Sequence, residues 1–405
     1  MLTFAYEAKD ASTGQKIKST VEADNEQSAA KLIRDQGYTP LEIRLKQEGG
    51  TGIGKIFSRV KTKDKIIFSR QLATLINAGL PLVQGLRSVQ EQTTNKTFQV
   101  IVNKIIADVE SGTSFSASLA KHPDVFNQVY ISLVAAGEAS GTLDAALDRI
   151  ALQQEKDAEI ISKVRGAMVY PIIVIVVMLA VVTFMLVSVL PQVQNIYSGI
   201  AGAQLPLLTR VLLGISHLII NWWWLMAILG VGLGFATTKW ARTLGGKRVI
   251  DKVKMRAPGF GTLFMKMYMA RFARTATTLV ASGVPLIQVL EITAKAIDNF
   301  YIDAALRGAI EKVKGGKSLS SAIEKDPNFL PLVPNMLRIG EQSGAIETML
   351  AKTADYFEKE VDNEVKTIST IIEPFLMVLI GGMALLIVAA VLLPIYALVG
   401  KDIIH

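Results

Sequence analysis

No cysteine occurs in the chain, and there are only three histidines, His122, His217 and His405. Disulfides, thiolate metal sites and a cysteine nucleophile are therefore excluded, and the histidines are too few and too scattered for an ordinary zinc centre. Charge is sparse as well: Asp, Glu, Lys and Arg make up 19% of the 405 residues, and none occurs in Gly166 to Thr209, Val211 to Phe235 or Phe375 to Val399. Half of the chain is apolar and mean hydropathy is +0.37, which exceeds what a water-soluble protein of this size carries. The first residues, Met1 to Asp10, lack the basic start and apolar centre of a signal peptide, which predicts an N-terminus kept in the cytoplasm.

What replaces charge is a set of membrane-spanning runs. Residues 168–190 are nearly solid Val, Ile and Leu. Their β-branching suits a strand, but the run is far longer than a strand and matches the roughly 20 residues of a bilayer-crossing helix. Residues 211–235 and 374–399 give the second and third predicted spans. Between the first two, Pro191, Asn195, Tyr197, Gly199, Gly202 and Pro206 read as a loop. After the second come Lys239, Arg242, Lys247, Arg248, Lys252, Lys254 and Arg256 against one acid, Asp251. Positive charge beside a span marks the cytoplasmic side, so the expected order is N-terminus inside, short loop outside, large middle region inside, C-terminus outside. The formal net charge of +8 then reflects topology and contact with the lipid bilayer; nucleic acid is not an expected partner.

The two charged regions that precede the first and third spans repeat each other. "FSRQLATLINAGLPLVQGL" from Phe68 aligns with "FARTATTLVASGVPLIQVL" from Phe272, and the same offset carries Gly79 to Gly283, Pro81 to Pro285, Gly112 to Gly316, Ser114 to Ser318 and Ser116 to Ser320. One residue is then lost from the offset, and "AGEASGTLD" (Ala136 to Asp144) falls on "IGEQSGAIE" (Ile339 to Glu347). Pro171 lies on Pro374 in this register. Each half is thus a helical module joined to a membrane helix.

The repeat also disposes of a nucleotide-loop reading. Gly315-Gly316-Lys317-Ser318 resembles the end of a phosphate loop, but its counterpart, Ser111-Gly112-Thr113-Ser114, has no lysine. The glycine that such a loop needs earlier is Glu311, and no strand leads in. The shared content is a helix stop followed by a serine cap.

These patterns predict a mainly α membrane protein: two tandem cytoplasmic helical bundles, residues 64–167 and 264–373, plus three transmembrane helices. Gly79-Leu80-Pro81 and Gly283-Val284-Pro285 break the first helix of each bundle from the second. Ile346, Leu350, Thr353, Phe357, Val361, Val365, Ile368 and Ile372 step by three or four along one apolar stripe. Residues 1–46 read as a small β-β-α-β domain, with a turn at Asp10 to Gly14 and a helix from about Asn25 to Gln36 capped by Asp24. A linker, 47–63, follows.

Candidate site residues come from the motif Gly-Glu-x-Ser-Gly, present as Gly137, Glu138, Ser140, Gly141 and again as Gly340, Glu341, Ser343, Gly344. It is not a nucleophile elbow, since Ala139 and Gln342 hold the position that would need serine. The structural reading is a tight interhelical turn whose glutamate satisfies free amides; the functional reading is a partner surface, and the two are compatible. Tyr170-Pro171 and Glu373-Pro374 mark the membrane junctions, where a carboxylate such as Glu373 still reaches water. His217 and Asn221, four apart on the second span, are expected to hydrogen-bond to a neighbouring helix, and Gly230 and Gly234 to form a close-packing face. Trp222, Trp223 and Trp224 sit too centrally for an interfacial belt.

The two copies of Phe-x-Arg…Leu-x-x-x-Gly-x-Pro-Leu, the following Gly-x-Ser-x-Ser, Gly-Glu-x-Ser-Gly, and the Tyr-Pro and Glu-Pro junctions resemble the type II secretion F / type IV pilus inner-membrane platform family, from about residue 64 to 398, with an N-terminal unit similar to that family's leader domain. Arg274-Thr275-Ala276 departs from Arg70-Gln71-Leu72, so this helix surface differs between the halves. The resemblance implies a non-enzymatic scaffold without cofactor in the bacterial cytoplasmic membrane. Its implied partners are a separate cytosolic hexameric assembly ATPase, pilins or pseudopilins, other inner-membrane assembly proteins and further copies of itself. A small multispan transporter or channel component is the alternative, disfavoured because no predicted span carries a buried charge.

Overall fold

The computed structural model describes residues 2–10, 16–23, 25–35, 38–45, 60–198 and 206–402. The chain divides into two compact units, one comprising residues 1–61 with 93–100 and the other 62–92 with 101–405.

In the first unit, strands β1 (Leu2–Asp10), β2 (Lys16–Ala23) and β3 (Tyr38–Leu45) form an antiparallel sheet in the order β2-β1-β3, and α1 (Glu26–Asp35) joins β2 to β3. Leu2 pairs with Ala23 and Phe4 with Leu45, with an irregularity at Glu7/Ala8. Alternation places Tyr6 and Ala8 on the face that α1 covers with Ile33. Asn25 caps α1, its Oδ1 accepting from Ser28 N at 2.7 Å. The cap is therefore one residue later than the expected Asp24, which lies outside the described residues, as do most of the predicted turn after Asp10 and the linker core, 47–59.

The second unit holds the spans, the second bundle and the first bundle apart from residues 93–100. The first bundle begins with α2 (Thr62–Asn77), α3 (Leu82–Gln92), α4 (Lys96–Glu110), α5 (Phe115–Ala120) and α6 (Gln128–Ser140). It ends in α7 (Leu143–Phe184), which runs on into the membrane segment. A π-turn, Met185–Val189, joins α7 to α8 (Leu190–Ser198), and α9 (Leu207–Ala241) is the second span. After α10 (Leu244–Arg256), the second bundle comprises α11 (Gly261–Ala281), α12 (Leu286–Ile297), α13 (Phe300–Lys314), α14 (Leu319–Ile323), α15 (Leu332–Ser343) and the long α16 (Ile346–Asp402). Among the described residues three helices are long and apolar enough to cross a membrane, within Leu143–Asn195, Leu207–Ala241 and Ile346–Leu392.

The bundles share a core plan. Phe68 packs on Phe126 at 6.0 Å between ring centroids, and their repeat equivalents Phe272 and Phe329 pack edge to face at 5.4 Å. Around this pair the chemistry changes as a set. In the first bundle Ser69 Oγ lies 3.3 Å from the Tyr130 hydroxyl and 3.1 Å from Gln154 Oε1. The corresponding residues of the second are Ala273, Val333 and Phe357, all buried. A buried hydroxyl requires a partner and an apolar side chain does not, so the three positions are polar together or apolar together.

The membrane segment corrects the sequence reading in two places. Pro191, Asn195 and Tyr197, expected in a loop, are helical. The proline is absorbed by the π-turn, in which Leu190 N–H reaches Met185 O five residues back. The next bond of that pattern would join residue 191 to Leu186 O, and proline has no N–H to give. Ser216 Oγ supplies the missing donor at 2.6 Å. The interhelical hydrogen bonds of the second span therefore come from Ser216 and from Thr209, whose Oγ1 lies 3.4 Å from Ala390 O. They do not come from His217 and Asn221, which are exposed. Leu190, Leu213 and Ala390 close the apolar contact among the three spans. Gly230 and Gly234 face open space rather than a helix of this chain. Trp222 breaks the regular geometry of α9 (φ −120°, ψ 16°), and all three tryptophans are exposed.

Candidate functional site

The candidate site is built at the ends of short helices, where backbone groups lack internal partners. After α4 the chain turns at Gly112, Ser114 caps α5 by accepting from Ala117 N, and the first amides of α5 face α6. Glu138 meets them there. Its carboxylate accepts from Phe115 N at 2.5 Å, from Ser116 N at 3.0 Å and from the Ser116 hydroxyl. Glu341 repeats the arrangement at α14, accepting from Ser320 N at 3.2 Å and from the Ser320 hydroxyl. The phosphate-loop lookalike is this same turn, with Ser318 as N-cap, and the place where an anion would meet a helix N-terminus holds the protein's own carboxylate.

The glycines of the motif serve the same elbow. A Cβ on Gly137 would lie 2.6 Å from Ala146 Cβ, and one on Gly340 would lie 2.9 Å from Ile346 Cα; the helices on either side of the turn cross too closely for any side chain there. Gly141 and Gly344 end α6 and α15 in the left-handed conformation, φ +71° and +68°, a region open to glycine at little cost. Ser140 Oγ donates to Ala136 O at 2.8 Å and Ser343 Oγ to Ile339 O at 2.7 Å. The motif thus fixes the angle at which α6 meets α7, and α15 meets α16.

Those long helices cross the junctions without interruption. Pro171 lies inside α7 and Pro374 inside α16, so the boundaries drawn at 167/168 and 373/374 fall within continuous helices rather than at helix starts. Pro171 is buried, while Tyr170, Glu373 and Pro374 are exposed.

Sequence reasoning passed over a second repeated device. Arg70 on α2 forms a two-bond fork with Glu155 on α7, Nε to Oε1 at 2.7 Å and Nη2 to Oε2 at 2.6 Å, and reaches Asp148 Oδ1 at 2.7 Å. Arg274 on α11 binds Glu358 at 2.8 Å and Asp355 at 2.6 Å on α16. Hydrogen bonding to Arg70 holds the Glu155 carboxyl below the usual carboxylate range. Each pair ties the first helix of a bundle to the helix that enters the membrane. The recurrence of arginine and glutamate at repeat-equivalent positions was the signal available.

Asymmetry appears where the bundles meet. Gln153 Nε2 donates to Thr275 Oγ1 at 2.9 Å, and Arg149 donates to Ala281 O and to Ser282 Oγ at 3.1 Å. Lys163 bridges to Asp362 at 2.6 Å. Beneath these, Ile160, Leu263 and Val361 form a shared apolar cluster. The departure of Thr275 from Gln71 thereby acquires a cause, since Thr275 is buried in the seam between bundles whereas Gln71 bonds Gln92 on its own bundle. Asp251, the lone acid of the basic run, is buried and accepts from Phe300 N at 2.9 Å, which fastens α10 to the second bundle.

The family model for type II secretion system protein F matches residues 68–191 and 272–394, one match per repeat, and that for the protein F N-terminal domain matches 1–44. The chain is 39% identical to the type IV pilus assembly protein PilC of Thermus thermophilus, over 99% of each chain. It is 37% identical to PilC of Pseudomonas aeruginosa, over 90% of this chain and 97% of the other. It is also 34% identical to the type II secretion system protein F of Pseudomonas aeruginosa, over 98% and 99%.

Proposed function

Because the chain belongs to the type II secretion system protein F family, we propose that it is the inner-membrane platform of a type IV pilus or type II secretion machine, coupling a separate cytosolic hexameric ATPase to the assembly of pilin or pseudopilin subunits. The observation that carries this reading is the continuity of α7 and α16 from bundle to span. An α-helix is stiff along its axis, so a displacement imposed on a bundle reaches the bilayer without passing through a flexible joint. The elbows and arginine forks make each bundle move as one body with its long helix. In this reading both bundles face the cytoplasm, as the basic residues from Lys239 to Arg256 support, and the C-terminus lies outside.

Gly137, Glu138, Ser140, Gly141 and their counterparts Gly340, Glu341, Ser343, Gly344 act in this proposal by setting the bundle surface that the ATPase grips. Pilins or pseudopilins and other inner-membrane assembly proteins engage the spans and their flanks. The test is co-purification of the full chain, in native membranes, with the ATPase of its own filament system. Recovery that depends on the bundles supports the reading. Absence of any complex, with filaments still assembled by a strain lacking this chain, overturns it.

A further inference from the structure

The seam between the bundles has two different halves. One is a row on α7, Arg149, Gln153 and Asp157; the other is a row on α11 and its C-cap, Arg271, Thr275, Ala281 and Ser282. Under the internal repeat the α7 row corresponds to Lys352, Tyr356 and Glu360 on α16, and the α11 row to Ile67, Gln71, Asn77 and Ala78 on α2. The seam is thus head to tail. The first bundle contributes its α7 row, the second its α11 row, and the reciprocal pair is left over. Among the described residues no hydrogen bond or ion pair joins the left-over rows to each other. Ile67 is 44% exposed and Tyr356 49%, and Asn77, Ala78 and Lys352 are exposed.

One backbone atom makes the equivalence chemical. The carbonyl of Ala281, in the last turn of α11, would bond the N–H four residues on, but that residue is Pro285. Arg149 takes the freed oxygen, a cation at a helix C-terminus. The carbonyl of Asn77 is freed in the same way by Pro81, and among the described residues no backbone N–H outside the helix ladders donates to it. Lys352, the equivalent of Arg149, is also a cation.

We propose that the seam recurs between neighbouring copies of this chain, the α16 row of one copy, with Lys352 and Tyr356, docking on the α2 row of the next, with Gln71, Asn77 and Ala78. A head-to-tail contact leaves one unused face at each end of a chain of copies, and it closes only as a ring. Copies held in one bilayer are related by rotation about its normal, which is the geometry that allows closure. The inference deepens the platform reading, on which it rests for placing both bundles on one side of the membrane.

The absence of native cysteine gives a clean test. Differently tagged Gln71→Cys and Tyr356→Cys chains are co-expressed and treated in membranes with a short bis-maleimide, with Arg149→Cys/Ser282→Cys as the within-chain control. The expected product is a heterodimer from the mixture and none from either chain alone. A chain carrying both Gln71→Cys and Tyr356→Cys gives a ladder, and adding Lys352→Glu abolishes it. Self-cross-linking of Tyr356→Cys alone, or no heterodimer while the control cross-links, overturns the proposal. The cross-link requires no filament, so its failure in a chain that still supports assembly sinks this inference alone. Labelling of the two cysteines from opposite sides of the membrane would sink the platform reading as well.

Discussion

Gly137 stands so close to Ala146 that a methyl group added to the glycine would lie 2.6 Å from the alanine Cβ, with the Leu143 backbone at 3.1 Å behind it. Gly340 meets backbone as well, Ile346 Cα at 2.9 Å. Neither neighbour is the free end of a flexible side chain, so the helices themselves must separate. Gly137→Ala and Gly340→Ala are each expected to destabilise the full chain by about 1–3 kcal/mol, the usual range for overpacking, read as a lowered midpoint of thermal unfolding in nanodiscs. An unchanged midpoint for both would mean that the elbows are not tight.

Glu138 serves three donors and Glu341 two. Glutamine at either position keeps one acceptor oxygen and turns an NH2 toward amides that are themselves donors, which leaves a part-buried group unpaired at a cost of about 1–3 kcal/mol. Glu138→Gln is expected to be the more damaging of the two. If the elbow works by shaping the surface that the motor grips, assembly falls in step with stability. Assembly lost while the unfolding midpoint is unchanged would assign the carboxylate to direct partner contact instead.

The paired core positions make a third prediction. Tyr130→Phe removes the hydroxyl beside Ser69 and is expected to cost about 1 kcal/mol, since the phenol is fully buried, which pushes its pKa well above the ordinary value. Replacing Ser69, Tyr130 and Gln154 together by Ala, Val and Phe, the set found in the second bundle, is expected to cost less than the sum of the three single changes. Neighbours in one network couple by about 0.5–3 kcal/mol. Strict additivity in chemical denaturation would show that the positions are independent.

What could be read from the sequence follows from the range of each signal. The stripe from Ile346 to Ile372 and the uncharged runs are periodic or continuous over many residues, and the repeat supplies each element twice, so the bundles, the spans and the turn motifs were legible. Glu138 announced itself by recurring as Glu341, but its partner Ser116 lies 22 residues away and only the packing of α5 on α6 joins them. Arg70 with Glu155 stayed hidden for the same reason. Pro191 misled because a proline reads as a break, whereas a helix in the membrane absorbs it through a π-turn and a serine from the next span. The seam was visible only as a blemish in the repeat, Thr275 against Gln71, because nothing local tells which of two equivalent faces will be covered.

The ion pairs set the response to acid, and their signs differ. Glu155 is held below the ordinary carboxylate range by hydrogen bonding to Arg70, and Glu364 by hydrogen bonding to Lys266 and then to Thr262. For both, the unfolded chain binds protons more readily, so their stabilisation is present above the unfolded value of about 4.3 and is lost as pH falls through the lower folded values. Asp157 is opposite. Burial raises its pKa, with Arg271 opposing, so its contribution is present below the unfolded value of about 3.9 and is lost as pH rises through the folded one. Unfolding midpoints followed from pH 7 down to about pH 2, through the window below about 4.3, are therefore expected to fall toward the acid end. Glu155→Gln lowers stability at neutral pH and flattens the acid limb, because the group that titrates is gone. Asp157→Asn removes that opposing contribution and makes the limb steeper. A flatter limb in Asp157→Asn would mean that Arg271, 3.9 Å away, governs this carboxylate rather than burial.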